Sequence, residues 1–133
     1  SLVMSNMNSA RERARDTQRK SDLRSIQTAL RLYYNDKGRY PCHDSLYRMR
    51  ACGTEATCAT ITPCSWGSRW SVGTVVYMNI LPSGPLPDEV YQYTYIDDDS
   101  YTLSACLENA SDSSGKDVAA TVCASTKQYE VKP

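Results

Sequence analysis

Apolar residues fall at Leu23, Ile26, Leu30 and Tyr33, with Ala29 and Tyr34 beside them. Steps of three and four place these positions on one helical face, the kind of stripe a helix lays against a sheet. Asn35-Asp36-Lys37-Gly38 ends the run, because Gly38 accepts the left-handed conformation that closes helices. Pro41 then forbids resumption and biases Tyr40 towards an extended backbone. Residues 8–22 carry no such stripe: charges surround the helix, and Ala10, Ala14, Thr17 and Ser21 follow steps of four, three and four. A helix polar all round is held by charge pairs, bridges domains, or is covered by something outside the chain. Pairing gives modest support, since Glu12–Asp16 is a like pair while Glu12–Arg15 and Asp16–Lys20 are opposite. The pattern predicts an N-terminal helical region over 1–41, with a protruding half at 1–22 and a packed half at 23–37. Such a rod is about 50 Å long at about 1.5 Å per residue, longer than the small domain the remaining residues can build.

Residues 42–133 read as a globular head. A cysteine-rich connector at 42–73 holds Cys42, Cys52, Cys58 and Cys64 among Thr, Ser, Gly and Pro. Ser45 to Arg50 suits a short helix with Leu46 and Met49 inward, and Trp66 and Trp70 are placed to anchor the connector. Over 74–133 the period changes to two. Tyr91, Tyr93 and Tyr95 share one strand face, and Tyr101, Leu103, Ala105 and Leu107 share another. Asp97-Asp98-Asp99-Ser100 is the turn between them, so the two runs form a β-hairpin. A last strand is expected within Val118–Ala124 or Gln128–Val131. The fold class is α+β: a long N-terminal α-helix packed on a small antiparallel sheet, with the cysteine-rich connector between them.

The 133 residues carry no net charge, so no global field favours a polyanion. The distribution is uneven. Arg11, Arg13, Arg15, Arg19, Lys20, Arg24, Arg31 and Lys37 stand against Glu12, Asp16, Asp22 and Asp36, which gives the first 37 residues about +4 and the head about −4. A basic rod carrying an acidic head is suited to packing rod to head between copies. A basic-region DNA reader is disfavoured, because the acids of the rod would face phosphates and no heptad zipper follows.

Six cysteines, an even number in a small polar domain, read as three disulfides and an oxidising compartment. Cys106 and Cys123 are expected to pair, closing a loop whose cross-link stabilises by about 3 kcal/mol in the chain-entropy picture. Cys42, Cys52, Cys58 and Cys64 allow three pairings, and neither the nested nor the sequential scheme is preferred. Zinc is disfavoured, since no two of these four stand at the spacing of a knuckle. His43, the only histidine, neighbours Cys42, where the two side chains point apart and do not form a dyad. No phosphate loop or nucleophile elbow occurs, and no catalytic residues are assigned; the chain does not read as an enzyme. Asp97-Asp98-Asp99 reads as a polar turn, while Asp112 and Asp117 form a weak calcium alternative that does not follow the EF-hand pattern. No metal or other cofactor is otherwise expected.

The order polar helix, Ile26-Gln27, Ala29-Leu30, Tyr33-Tyr34, Gly38, Tyr40-Pro41, then Ile80-Leu81-Pro82, Tyr93-Thr94-Tyr95 and Tyr101 to Glu108, resembles the type IV pilin and type II secretion major-pseudopilin superfamily. The resemblance covers most of the chain outside the connector. It implies a pilin fold and a structural subunit of a type IV pilus-like extracellular filament, serving adhesion, motility or DNA uptake. Ala10, Arg11, Ala14, Arg15, Thr17 and Ser21 would then be the assembly surface, and Leu23, Ile26, Leu30 and Tyr33 the helix–sheet core. The implied partners are identical subunits and the pilus or secretion assembly machinery, with no sequence-specific nucleic acid binding. The chain opens on Ser1-Leu2-Val3-Met4, and the resemblance implies a preceding apolar helix that holds the subunit in the inner membrane before it passes to the periplasm or cell surface. Two departures stand out. The cysteines exceed the family's usual number, and Leu81-Pro82-Ser83-Gly84-Pro85 replaces the expected Asp-Pro segment. The alternatives are a major pseudopilin of a type II secretion system, whose calcium loop maps loosely onto Asp112 and Asp117, and a secreted disulfide-rich binding module.

Overall fold

The computed structural model describes residues 2–53, 58 and 61–133. Ser1, at the start of the expected protruding half, and connector positions 54–57 and 59–60 lie outside the described residues. Helix α1, Leu2–Lys37, runs unbroken for 36 residues. Its sequence contains neither glycine nor proline, so nothing interrupts the hydrogen-bond ladder. It stops at Gly38, whose φ of 72° lets its N–H reach the Tyr34 carbonyl at 2.7 Å.

Three small sheets follow. Strands β1 (Cys42–His43), β2 (Met49–Cys52) and β3 (Thr62–Pro63) form an antiparallel sheet in sequence order. Strands β4 (Trp70–Val72) and β5 (Val75–Met78) form a hairpin. Strands β6 (Gln92–Asp97), β7 (Ser100–Cys106), β8 (Lys116–Asp117) and β9 (Lys127–Val131) form the main sheet in the order β6-β7-β9-β8. The architecture is therefore α+β with antiparallel sheets.

The connector is more regular than its composition suggests. Ser45–Arg50 is a turn leading into β2 and not a short helix: Asp44 accepts N–H bonds from Leu46 and Arg48, which fixes the turn before a helix can nucleate. The boundary expected at Gly73 falls inside the β4–β5 hairpin, where Gly73 supplies the positive φ of the turn. The disulfides Cys42–Cys58 and Cys52–Cys64 cross, so the pairing is neither nested nor sequential. Strand register explains the second, because β2 and β3 pair with Cys52 opposite Thr62, which brings Cys64 alongside. Cys106 is joined to Cys123, which lies in the loop before β9 and not in a strand.

Leu23, Ile26, Leu30 and Tyr33 share one core with Tyr93, Tyr101, Leu103, Trp70 and Tyr77. The tyrosines bury their rings and still satisfy their hydroxyls. Tyr93 donates to the Pro41 carbonyl at 2.7 Å and Tyr77 to Asp36 at 2.8 Å. Burial pushes the Tyr93 hydroxyl well above the usual phenol range. Trp70 donates its indole N–H to the Ala51 carbonyl and packs its ring against Tyr33 and Tyr77, with centroids 5.9 and 5.2 Å away. This tryptophan ties the connector to the helix, while Trp66 meets Tyr91 edge-on.

Candidate functional site

The burial of α1 does not stop at Leu23. Asp16 and Arg19 are each 2% exposed and Asp22 is 8% exposed. The packed part of the helix begins near Arg15, and the boundary expected at 22 moves towards the N-terminus. The head supplies the reason, since it presents carboxylates and backbone N–H groups that the charged residues of the helix can satisfy.

Arg19 lies at the centre. Its Nε and Nη2 bond both oxygens of Glu89 at 3.0 and 2.6 Å, while Nη1 bonds Asp16 and Glu108, each at 2.7 Å. Burial alone lowers an arginine pKa, but the bonds to Glu89 and Glu108 outweigh it and hold the guanidinium more firmly protonated than usual. Arg15 grips Glu108 with a second two-pronged pair at 2.7 Å per contact. The hydrogen bond from Arg15 is the largest influence on Glu108; with Arg19 it overcomes burial and brings the carboxyl down to about 2. Asp16 also accepts the backbone N–H groups of Glu108 and Asn109, both at 2.9 Å, and so closes the chain as it leaves β7. One turn further on, Asp22 accepts from the Tyr91 hydroxyl at 2.6 Å and from Gln18 at 2.7 Å. Lys20 pairs with Asp112, and that hydrogen bond, helped by Ser114, lowers the Asp112 carboxyl to about 2.

This seat redraws the expected assembly surface. Ala10, Arg11, Ala14, Thr17 and Ser21 are exposed. Arg15 is half-buried, with its guanidinium held by Glu108 of the same chain. Of the rod's acids, Asp16 and Asp22 are buried in the seat and do not face outward, so they would not face phosphates. Asp112 and Asp117, the calcium alternative, are each answered by a lysine, Lys20 and Lys127, and among the described residues no cluster of His, Cys, Asp and Glu is arranged to hold a metal. Cys42 is in a disulfide, and His43 Nδ1 accepts the Tyr95 backbone N–H at 3.0 Å, which links β1 to β6.

Between the seat and the main sheet opens a groove of about 580 Å³, lined by Leu86, Val90, Leu107 and Ala124 together with the polar Arg19 and Gln128. Sequence reasoning missed both the groove and the roles of Asp16, Arg19, Glu89 and Glu108. The available signal was phase: Asp16, Arg19 and Asp22 continue the Leu23–Tyr33 stripe backwards in steps of three. Among the described residues no helix is long and apolar enough to cross a membrane. No protein-family model, curated protein or solved structure matches the chain.

Proposed function

We propose that this chain is the structural subunit of a type IV pilus-like extracellular filament, assembled through its N-terminal helix. The observation that carries the reading is the 36-residue helix fixed to a small head at one end while residues 2–11 are exposed at the other. That free end, about 15 Å long at about 1.5 Å per residue, carries exposed Leu2, Val3, Met4 and Met7. Exposed apolar side chains together at one end of a rod suit burial against other copies. In this reading the partners are identical subunits and the assembly machinery, and the subunit waits in the inner membrane before it joins a fibre on the cell surface. The lysine pairing of Asp112 and Asp117 favours a pilus subunit over a calcium-dependent pseudopilin. Deleting the gene should remove surface fibres, and complementation should restore them. An unchanged fibre population would sink the proposal, as would a coding sequence upstream of Ser1 without an apolar helix.

The groove of about 580 Å³ supports a second reading, a secreted binding module, since sites for small ligands fall between about 300 and 1,000 Å³. A gene opening on an ordinary cleaved signal peptide would favour it.

A further inference from the structure

Several cations of the helix are committed to the chain's own head, among them Arg15 to Glu108, Arg19 to Glu89 and Glu108, and Lys20 to Asp112. Arg13, Arg24 and Arg31 are exposed and form no ion pair with the described residues. At about 3.6 residues per turn these three fall within about 20° of one another, on an exposed flank of the helix, with Arg31 close enough to the buried Tyr101 to act on its hydroxyl. They make a stripe about 27 Å long at about 1.5 Å per residue. No carboxylate interrupts it. Asp16 and Asp22 are buried in the seat, Asp36 accepts the Tyr77 hydroxyl, and Glu12 is half-buried beside the groove.

The opposite charge gathers at the β6–β7 turn. Asp97, Asp98 and Asp99 are all exposed there, and the cation beside them is Arg39, 3.8 Å from Asp98. The turn is held in one shape: Asp97 accepts the Asp99 N–H at 2.9 Å, Asp98 accepts the Tyr95 hydroxyl at 2.7 Å, and Asp99 accepts the Tyr34 hydroxyl at 2.5 Å. Asp97 is pulled below the usual carboxyl range by its hydrogen bonds to Ser100 and Asp99, so this carboxylate keeps its charge in mild acid. The Tyr34 bond also fixes where the turn sits, against the C-terminal end of its own helix. Arg24 lies ten residues before Tyr34 and Arg13 twenty-one, or about 15 and 32 Å along the axis at about 1.5 Å per residue. A turn anchored at Tyr34 does not reach them within one molecule.

We infer that the arginine stripe of one copy receives the aspartate turn of the next, an inference that deepens the filament reading and rests on it. The occupant is a second copy because the complementary charge is on this chain and is anchored about 15 and 32 Å along the axis from Arg24 and Arg13; Arg31, three residues before Tyr34, stands nearer the turn of its own chain. The two patches are different surfaces, so the contact is heterologous, and repeating it generates an open helical array and not a closed dimer. Each exposed pair contributes only about 0–1 kcal/mol, so the contact sets register and partner choice between neighbours whose affinity comes from burial elsewhere.

Two measurements test the contact. In fibre-producing cells, Arg24→Glu and Asp98→Arg should each lower fibre yield about tenfold, the factor that about 1.4 kcal/mol makes, and the double variant should recover most of it. Unchanged melting of each purified variant excludes misfolding. Independently of fibres, Arg24→Lys keeps the charge and introduces an amine at position 24. A zero-length carbodiimide should join that amine to Asp97, Asp98 or Asp99 of another molecule, giving a covalent dimer that is lost near 1 M salt, where screening acts within about 3 Å. Wild-type cells without fibres would end the filament reading and leave the cross-link to judge the contact. Fibres that form normally in both charge-reversed variants, with no cross-link to the turn, would overturn the contact alone. Salt-dependent binding of duplex DNA abolished by Arg24→Glu, again with no cross-link, would assign the stripe to a polyanion and also overturn it.

Discussion

Two stretches of one helix sit on the same head by different physics. From Leu23 to Tyr33 the helix buries aliphatic and aromatic side chains against Trp70, Tyr77, Tyr101 and Leu103. From Asp16 to Asp22 it buries charge just as fully, against Glu89, Tyr91 and Glu108. The apolar seat is non-directional: its contribution follows the area removed from water, and small rotations cost little. In the charged seat, Arg19 meets three carboxylates at 2.6 to 3.0 Å and Asp16 meets two backbone N–H groups. A slip of one residue turns the helix by about 100° and separates all of these contacts together. Replacing such a network with apolar residues is often neutral for stability, so its value here lies in specifying one rotation and one axial position. On the filament proposal, a rod that meets other copies through its exposed half needs that specification.

The largest effect should follow from removing the centre of the charged seat. Arg19→Met leaves Asp16 and Glu89 buried or half-buried without their cation and Glu108 with Arg15 alone, and should cost about 3–5 kcal/mol in chemical denaturation. Leu30→Ala, fully buried in the apolar seat, should cost about 2–5 kcal/mol by lost transfer energy and the cavity left behind. The two variants should differ in kind. The Leu30 variant should keep the helix in register, whereas the Arg19 variant should lose amide-exchange protection at Glu108 and Asn109, whose N–H groups depend on Asp16. Equal protection in both would show that the charged seat does not set register.

Acid should distinguish the seats next. Folding lowers Glu108 from 4.5 to about 2, and Asp112 from 3.8 to about 2. Lowered carboxyls bind fewer protons folded than unfolded, so their contribution is complete above their unfolded pKa values and drains as pH falls towards 2. The melting temperature should hold from pH 7 to about 5 and decline between about 4.5 and 2. Glu108→Gln should flatten that decline, whereas Leu30→Ala should shift the whole curve down in parallel. A smaller effect belongs to Tyr91→Phe, which removes the hydroxyl Asp22 accepts and leaves that buried carboxylate with Gln18 alone. The cost should be about 1–3 kcal/mol, read by denaturant midpoint.

The two seats were unequally legible in the sequence. Leu23, Ile26, Leu30 and Tyr33 announce their face by spacing, because apolar residues need only be inside. The tyrosine hairpin announces itself by alternation. Asp16, Arg19 and Asp22 lie on the same face, but a charge is buried only when its partners are, and Glu89 and Glu108 stand 70 and 89 residues from Arg19. No local rule connects them. The crossed pairs Cys42–Cys58 and Cys52–Cys64 were hidden for a similar reason, since their choice depends on the register of β2 against β3. The pairing of Arg15 was hidden for the same reason, because its partner, Glu108, is also remote in sequence.

The smallest effect on stability is the most informative about the free end of the helix. Ala14 is exposed two residues before Asp16 and takes no part in the ion pairs of the charged seat. Leucine at this position keeps high helix propensity, so Ala14→Leu should change the stability of the isolated chain by no more than about 0.5 kcal/mol. If this line of small residues admits a neighbouring helix, the larger side chain holds the two backbones apart, and fibre yield should fall while the melting curve stays in place. Glu108→Gln should give the opposite signature, a changed acid melting profile with the outer surface intact. Ala14→Leu fibres at normal yield would remove residues 10–21 from the assembly surface and leave the exposed end at Leu2–Met7 to make the contact.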